Sequence, residues 1–236
     1  MENYCTVIYY PLPDEKNRGL HIKKIVKNKL EDFVYINTDK PMAEQIFAAA
    51  HEFGHIWAVA EKVWKKMQYG GLPTEEEEED ITNRFAAELL MPAKEFRMAF
   101  IAHMRELGIK PGYIRLEDVV RLIVLQMNDF MVPYEAVRKR LVETKIMSPE
   151  GANSLLTKEA EISQMVSIYI KDQNTYLGKG TGAKTIPGLR ALTAIAESEE
   201  KVDEYLLNKI KKDFNITDMP MAEKEIEIRI EDSEDE

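Results

Sequence analysis

The chain has one cysteine, four histidines and two tryptophans among 236 residues, so few side chains are available for specialised chemistry. The lone Cys5 excludes an internal disulfide and a thiolate metal cluster, and it suits a reducing compartment. Positive charge is also short: 32 Lys and Arg stand against 42 Asp and Glu, a net charge of −10. That balance disfavours non-specific binding to nucleic acid or to anionic membranes. The first residues show no basic segment followed by an apolar one, so no secretory leader is expected. The longest apolar stretch is broken by His51, Glu52 and His55 and does not read as a membrane span. A cytoplasmic protein without membrane partners is the expectation. The 44% apolar content supports one large core or two small ones.

Two of the four histidines fall in one pentapeptide, His51-Glu52-Phe53-Gly54-His55, which spells H-E-x-x-H. On a helix, residues four apart share a face, so both imidazoles can aim at one metal ion. Glu52, about 100° around the helix, is placed to take a proton from a water on that metal. The flanks, Ile46 to Ala50 and Ile56 to Ala60, are apolar on nearly every face, as in a buried helix. Buried imidazoles and a carboxylate need partners, and a metal would satisfy all three. Gly54 within the helix costs ~1 kcal/mol against alanine, which points to close approach by another element.

A catalytic site of this type needs a third protein ligand and an open position. Downstream, Thr74 and Glu77 form a capping box behind Pro73, acidic residues crowd the first turn, and Pro92 ends the helix. The apolar stripe runs through Ile81, Thr82, Phe85, Ala86, Leu89 and Leu90. Glu75, Glu78 and Glu79 lie at or near its edge, and periodicity does not choose among them. Most of the acidic run reads as a solvated helix start.

Residues 51–55 and 79–92 resemble the ImmA/IrrE family of metallopeptidases. Its H-E-x-x-H helix is followed by one reading roughly E-x-x-A-N-x-F-A-A-x-L-L-M-P. Here Glu79, Asn83, Phe85, Ala86, Ala87, Leu89, Leu90, Met91 and Pro92 match, and Thr82 replaces the usual alanine, a small-for-small exchange expected to be harmless. The resemblance implies zinc held by His51, His55 and Glu79, with Glu78 as the rival for the third place. Asn83, one turn on, would orient a ligand from behind. It further implies that Glu52 is the general base of peptide hydrolysis and returns the proton to the leaving amine. For an oxyanion donor, His103, Tyr69 and Tyr113 come to mind, each read more readily as structural.

Before the motif, residues 6–10, 21–26 and 32–37 read as strands with a turn at 27–31, and His21 reads as a surface strand residue. The metal helix is expected over 41–67. Beyond Pro92 the pattern is helical. Helices at 116–127 and 133–146, and a third opened by Ser148-Pro149, resemble a helix-turn-helix unit. Arg138, Lys139 and Arg140 make its second helix locally basic, although a supporting helical subdomain explains the same pattern. Residues 178–185 nearly spell a phosphate-binding loop, with Ala183 in the last glycine's place. Without a strand leading into it, the segment reads as a flexible loop, and no nucleotide is expected.

These readings predict an α+β chain. A zincin-like core with a small N-terminal sheet occupies 1–112, a helical region spans 113–221, and an acidic tail covers 222–236, where Ile226, Ile228 and Ile230 suggest a short edge strand. The expected function is a zinc endopeptidase that cuts a regulatory protein, foremost a helix-turn-helix repressor of a phage or mobile element. The alternative is a non-proteolytic metal-binding regulator acting through a partner or DNA.

Overall fold

The computed structural model describes residues 4–216, apart from 15 and 113. Three strands open the chain: β1 (Thr6–Tyr10), β2 (Gly19–Val26) and β3 (Lys29–Asn37). They form one sheet in the order β1-β3-β2, with β1 parallel and β2 antiparallel to β3. Lys27 and Asn28 both have positive φ (48° and 62°), which lets a two-residue turn join β2 to β3 with the right-handed strand twist. The turn is thus shorter than the expected 27–31, and β2 and β3 each gain residues. Val7, Val34, Ile36 and Ala48 form the small core between the sheet and the first helix.

That helix, α1 (Met42–Ile56), ends earlier than the expected 41–67. Trp57 closes it, Ala58 takes a left-handed conformation (φ 47°), and α2 (Val59–Lys66) leaves in a new direction. Periodicity cannot see this break, because both halves keep an apolar stripe. α3 (Glu75–Leu90) begins as read from sequence. Thr74 Oγ1 accepts from the Glu77 main-chain N–H at 3.3 Å, and the Glu77 carboxylate accepts from the Thr74 N–H at 2.8 Å. Partners along α1 and α3 run in opposite senses, His51 opposite Asn83 and His55 opposite Glu78, so the helices are antiparallel.

The remaining helices are α4 (Ala93–Glu106), α5 (Leu116–Phe130), α6 (Tyr134–Glu143), α7 (Pro149–Leu156), α8 (Glu159–Gln173), α9 (Leu189–Ser198) and α10 (Glu204–Asp213). Ser148 caps α7, accepting from Gly151 N–H with Pro149 in the first turn, as the sequence signals. Residues 1–187 form one compact unit. Its main core joins Ala43 of α1, Ala87 of α3, Met91 at its C-terminal cap and Phe96 of α4 to Val120, Leu122, Ile123 and Val124 of α5 and Leu141 of α6. From residue 188 on, the described residues form a second unit, in which α9 and α10 pack together and Lys211 pairs with Glu197 at 2.8 Å. Among the described residues no helix is long and apolar enough to cross a membrane. The expected strand near 226–230 lies outside the described residues.

Two sequence expectations change here. Residues 178–185 are a strap over β1 rather than a flexible loop. Tyr9 and Thr185 exchange main-chain hydrogen bonds of 2.9 and 2.8 Å, and Thr38 Oγ1 donates to the Ala183 carbonyl at 2.7 Å. Gly180 is required by contact: a Cβ there would lie 2.5 Å from the Asp39 carbonyl oxygen. Likewise, the basic run on α6 is largely consumed inside the fold. Arg138 bonds Glu135 and the Ala152 carbonyl, and Arg140 bonds Glu88, Glu143 and the Met91 carbonyl. Both are buried, and of the three only Lys139 is exposed. A buried, paired guanidinium offers nothing to a phosphate, so this helix lacks the basic face that DNA binding would need.

Candidate metal centre

α1 and α3 approach closely at Gly54. A Cβ on Gly54 would fall 2.7 Å from Thr82 Cγ2 and 3.0 Å from Phe85 Cδ1, so only glycine allows this spacing without movement. Thr82 itself is fully buried, and its hydroxyl has no hydrogen-bond partner among the described residues. Threonine at this position therefore places a methyl against Gly54 and leaves a polar atom unpaired. At the outer end, Phe53 packs against Trp57 with tilted rings whose centres are 4.3 Å apart, and Phe85 lies 6.4 Å from Trp57. This apolar wedge holds the two helices at the separation the polar residues need.

His51, His55 and Glu79 converge in that gap, with one ligand atom from each within 4.8 Å of the others. The two imidazole Nε2 atoms are 3.0 Å apart. Glu79 Oε2 lies 3.3 Å from His51 Nε2, and Glu79 Oε1 lies 3.2 Å from His55 Nε2. The outer nitrogens have their own partners: His51 Nδ1 is 3.1 Å from Asn83 Oδ1, and His55 Nδ1 is 3.1 Å from Glu78 Oε1. Oxygen acceptors at both Nδ1 positions select the Nδ1–H tautomers and leave both Nε2 lone pairs facing inward. Burial lowers the proton affinity of His51 below its usual value, with the Glu79 carboxylate opposing the effect.

Two inward lone pairs and a carboxylate at this distance repel unless a cation lies among them. A tetrahedral ion with ligand distances of 2.0–2.1 Å spaces its ligand atoms about 3.3 Å apart. The 3.0 Å between the two Nε2 atoms is close to that spacing, and Glu79 approaches the two nitrogens through different oxygens, so that one ligand atom from each residue lies within 4.8 Å of the others. Of the two carboxylates that sequence left competing, Glu79 reaches the inward nitrogens and Glu78 stands behind His55. Glu75, the third acid at the stripe's edge, is exposed and absent from the cluster.

Glu52 points away from the pair, toward the sheet. It is 7% exposed, and burial pushes its carboxyl up to about 7, with His55 pulling the other way. Gly19 of β2 makes room for it: a Cβ there would be 3.1 Å from Glu52 Oε1.

His21, read from sequence as a surface strand residue, lies beside the site. Its side chain is only 12% exposed, its Nε2 is 2.6 Å from Asp32 Oδ1, and its ring stacks beside that of His55 at 6.5 Å and 19°. Alternation along β2 puts Gly19 and His21 on one face, which could have signalled this had the buried face been known. Of the other residues weighed as oxyanion donors, His103 pairs with Asp129 at 2.7 Å between α4 and α5, and Tyr69 packs on Trp64 at the surface. Tyr113 lies outside the described residues. A cavity of about 730 Å³ opens beside the start of α1, near Tyr134, Ile162 and Leu177, and none of the metal-site residues lines it.

A family model described as the IrrE N-terminal-like domain of Peptidase M78 matches residues 4–142. No curated protein and no solved structure matches the chain.

Proposed function

Because this chain belongs to the Peptidase M78, IrrE N-terminal-like family, we propose that it is a zinc-dependent endopeptidase in which His51, His55 and Glu79 hold the ion and Glu52 is the base. The observation that carries the proposal is the convergence of two histidine Nε2 atoms and the Glu79 carboxylate within 3.0–3.3 Å, with both histidine tautomers set from behind. The nitrogen and oxygen donor set favours zinc over magnesium or calcium, which prefer oxygen alone. When bound, zinc supplies Lewis acidity toward water and toward the scissile carbonyl. Glu52 does the proton work. It accepts a proton from the attacking water as the new C–O bond forms. It then delivers that proton to the amide nitrogen as the C–N bond breaks, so the water ends as a carboxyl oxygen and an amine hydrogen.

We assign the substrate as a regulatory protein of the cytoplasm, foremost a helix-turn-helix repressor of a phage or mobile element encoded nearby. The family resemblance supports this substrate class. The buried, paired state of Arg138 and Arg140 removes the main support for the alternative, a regulator that binds DNA itself. Co-expression of the chain with the neighbouring repressor is expected to give a defined fragment, and the Glu52→Gln variant none. An intact repressor under all conditions, including DNA damage, would refute the substrate assignment. Purified chain that retains no zinc after reconstitution would refute the metal assignment.

A further inference from the structure

The reaction described above makes no use of the cavity beside the start of α1. Its volume of about 730 Å³ falls within the range of sites that enclose small organic ligands, roughly 300–1,000 Å³. Ala43, Leu155, Ile162 and Leu177 give it a buried apolar lining, and the whole cavity lies within the first compact unit. Helix α8 forms its long wall. Ile162, Val166 and Ile170, spaced four residues apart, make one apolar stripe along it.

Charge is distributed unevenly along that wall. Glu159 stands at one end, and Lys171 lies ~18 Å further along the helix axis. Lys179 joins Lys171. Gly178 packs on Ile170, where a Cβ would be 3.5 Å from Ile170 Cγ2, and the two lysines are the residues that follow this contact on each side. The main chain of Lys179 is held there, its carbonyl accepting from the Met42 N–H at 3.2 Å. Among the described residues neither lysine has a carboxylate partner. Two other acids of the lining are already spent, Glu44 on Arg18 and Glu135 on Arg138. A chain of net charge −10 thus keeps two cations at one end of an apolar cavity.

We propose that this cavity binds a small amphipathic anion, a single-chain carboxylate whose apolar chain lies along Ile162, Val166 and Ile170 and whose head meets Lys171 and Lys179. Removal of the chain from water supplies the affinity, and the lysines fix its direction. The apolar stripe excludes a ligand charged along its whole length, because each charge there would lose its water without gaining a partner. A cationic amphiphile would have Glu159 alone for its head.

The test uses the full chain and needs no peptidase activity. Calorimetric titration with octanoate, decanoate and dodecanoate, each below its micellar concentration, should give one site per chain. Affinity should rise about fourfold per added methylene. Dodecyltrimethylammonium should bind at least ~tenfold more weakly than dodecanoate. Ser167→Trp, at an exposed position of the lining, fills the cavity and should abolish binding. Lys171→Glu combined with Lys179→Glu should weaken dodecanoate at least ~tenfold. Both variants should keep the circular dichroism and zinc content of the wild type, so that a loss of binding reports on the cavity and not on the fold. Absence of saturable dodecanoate binding overturns the proposal. So does equal affinity for the cationic amphiphile, or an affinity that Ser167→Trp leaves unchanged. Cosedimentation with phosphatidylglycerol vesicles, lost in the double lysine variant and seen without binding of monomeric dodecanoate, would make the lysines a membrane contact and overturn it too.

Discussion

His55 Nδ1 lies 3.1 Å from Glu78 Oε1, while the neighbouring Glu79 reaches the other nitrogen of the same ring at 3.2 Å. Two consecutive glutamates on one helix thus meet opposite sides of one imidazole. Their side chains leave α3 about 100° apart, and His55 projects between them. The adjacency that makes the pair indistinguishable in sequence is what lets them take different tasks.

The metal should respond to them unequally. Glu79→Ala is expected to lose zinc as completely as His51→Ala or His55→Ala. Glu78→Ala should weaken zinc by ~10–100-fold, the usual consequence of removing a carboxylate behind a ligating histidine. Competition with a chelator of known affinity measures both. A stronger effect at Glu78 than at Glu79 would exchange their roles.

Glu52 should keep the metal and lose the chemistry. In Glu52→Gln we expect full zinc content and a cleavage rate lower by at least ~10²-fold. Metal analysis and single-turnover assays check this, and an undiminished rate would exclude Glu52 as the base.

The zinc-free chain should also show Glu52 in its pH dependence. Burial raises its carboxyl from 4.5 to about 7, so between those values the folded chain holds a proton that the unfolded chain has lost. The stability tied to neutral Glu52 is fully present below 4.5 and is lost as pH rises through about 7. Gln stays neutral throughout. The melting temperature of Glu52→Gln relative to wild type should therefore climb from about pH 5 to about pH 8. A difference that is flat with pH, or falls, would show that burial does not govern this carboxyl.

The contact between α1 and α3 gives a pair of opposite expectations. Thr82→Val keeps the methyl against Gly54 and removes the unpaired hydroxyl, worth roughly 1–3 kcal/mol when left unsatisfied. It should raise the melting temperature by a few degrees, about 2–4 °C per kcal/mol. Gly54→Ala should lower it and weaken zinc, because the added methyl would meet Thr82 Cγ2 at 2.7 Å and force the ligand helices apart. Calorimetry with zinc titration tests both.

The strap over β1 allows a check on a misleading motif. Gly180→Ala should destabilise the fold, since the new Cβ would lie 2.5 Å from a main-chain oxygen. Millimolar ATP or GTP should leave the wild-type melting temperature unchanged, and Lys184→Ala should leave cleavage unchanged. A thermal shift with nucleotide that Lys184→Ala abolishes would restore the phosphate-loop reading.

Much of the centre was legible from sequence because its signals are local. The spacing of His51 and His55 defines a shared helix face without reference to the rest of the chain. Thr74 and Glu77 announce the start of α3 through hydrogen bonds that close within four residues. Gly54 marked a close approach, although not its partner. The three strands and the α+β class follow from equally short-range patterns.

What tertiary structure alone decided depends on atoms far apart along the chain. Glu78 and Glu79 have the same chemistry and the same helical setting, and only the position of His55 tells them apart. His21 reads as a surface residue until β2 is seen to turn that face toward α1 and bring Asp32 within 2.6 Å. Arg138 and Arg140 look like a basic face until α3 and α7 supply their partners. The break at Ala58 and the pairing of Thr185 with Tyr9 are likewise invisible to periodicity, which reports the faces of an element but not what covers them. The sequence by itself determines which groups can bind a metal and move a proton. Long-range packing determines which of them face the same few ångströms of space, because burial, tautomer and separation are properties of neighbours and not of spacing.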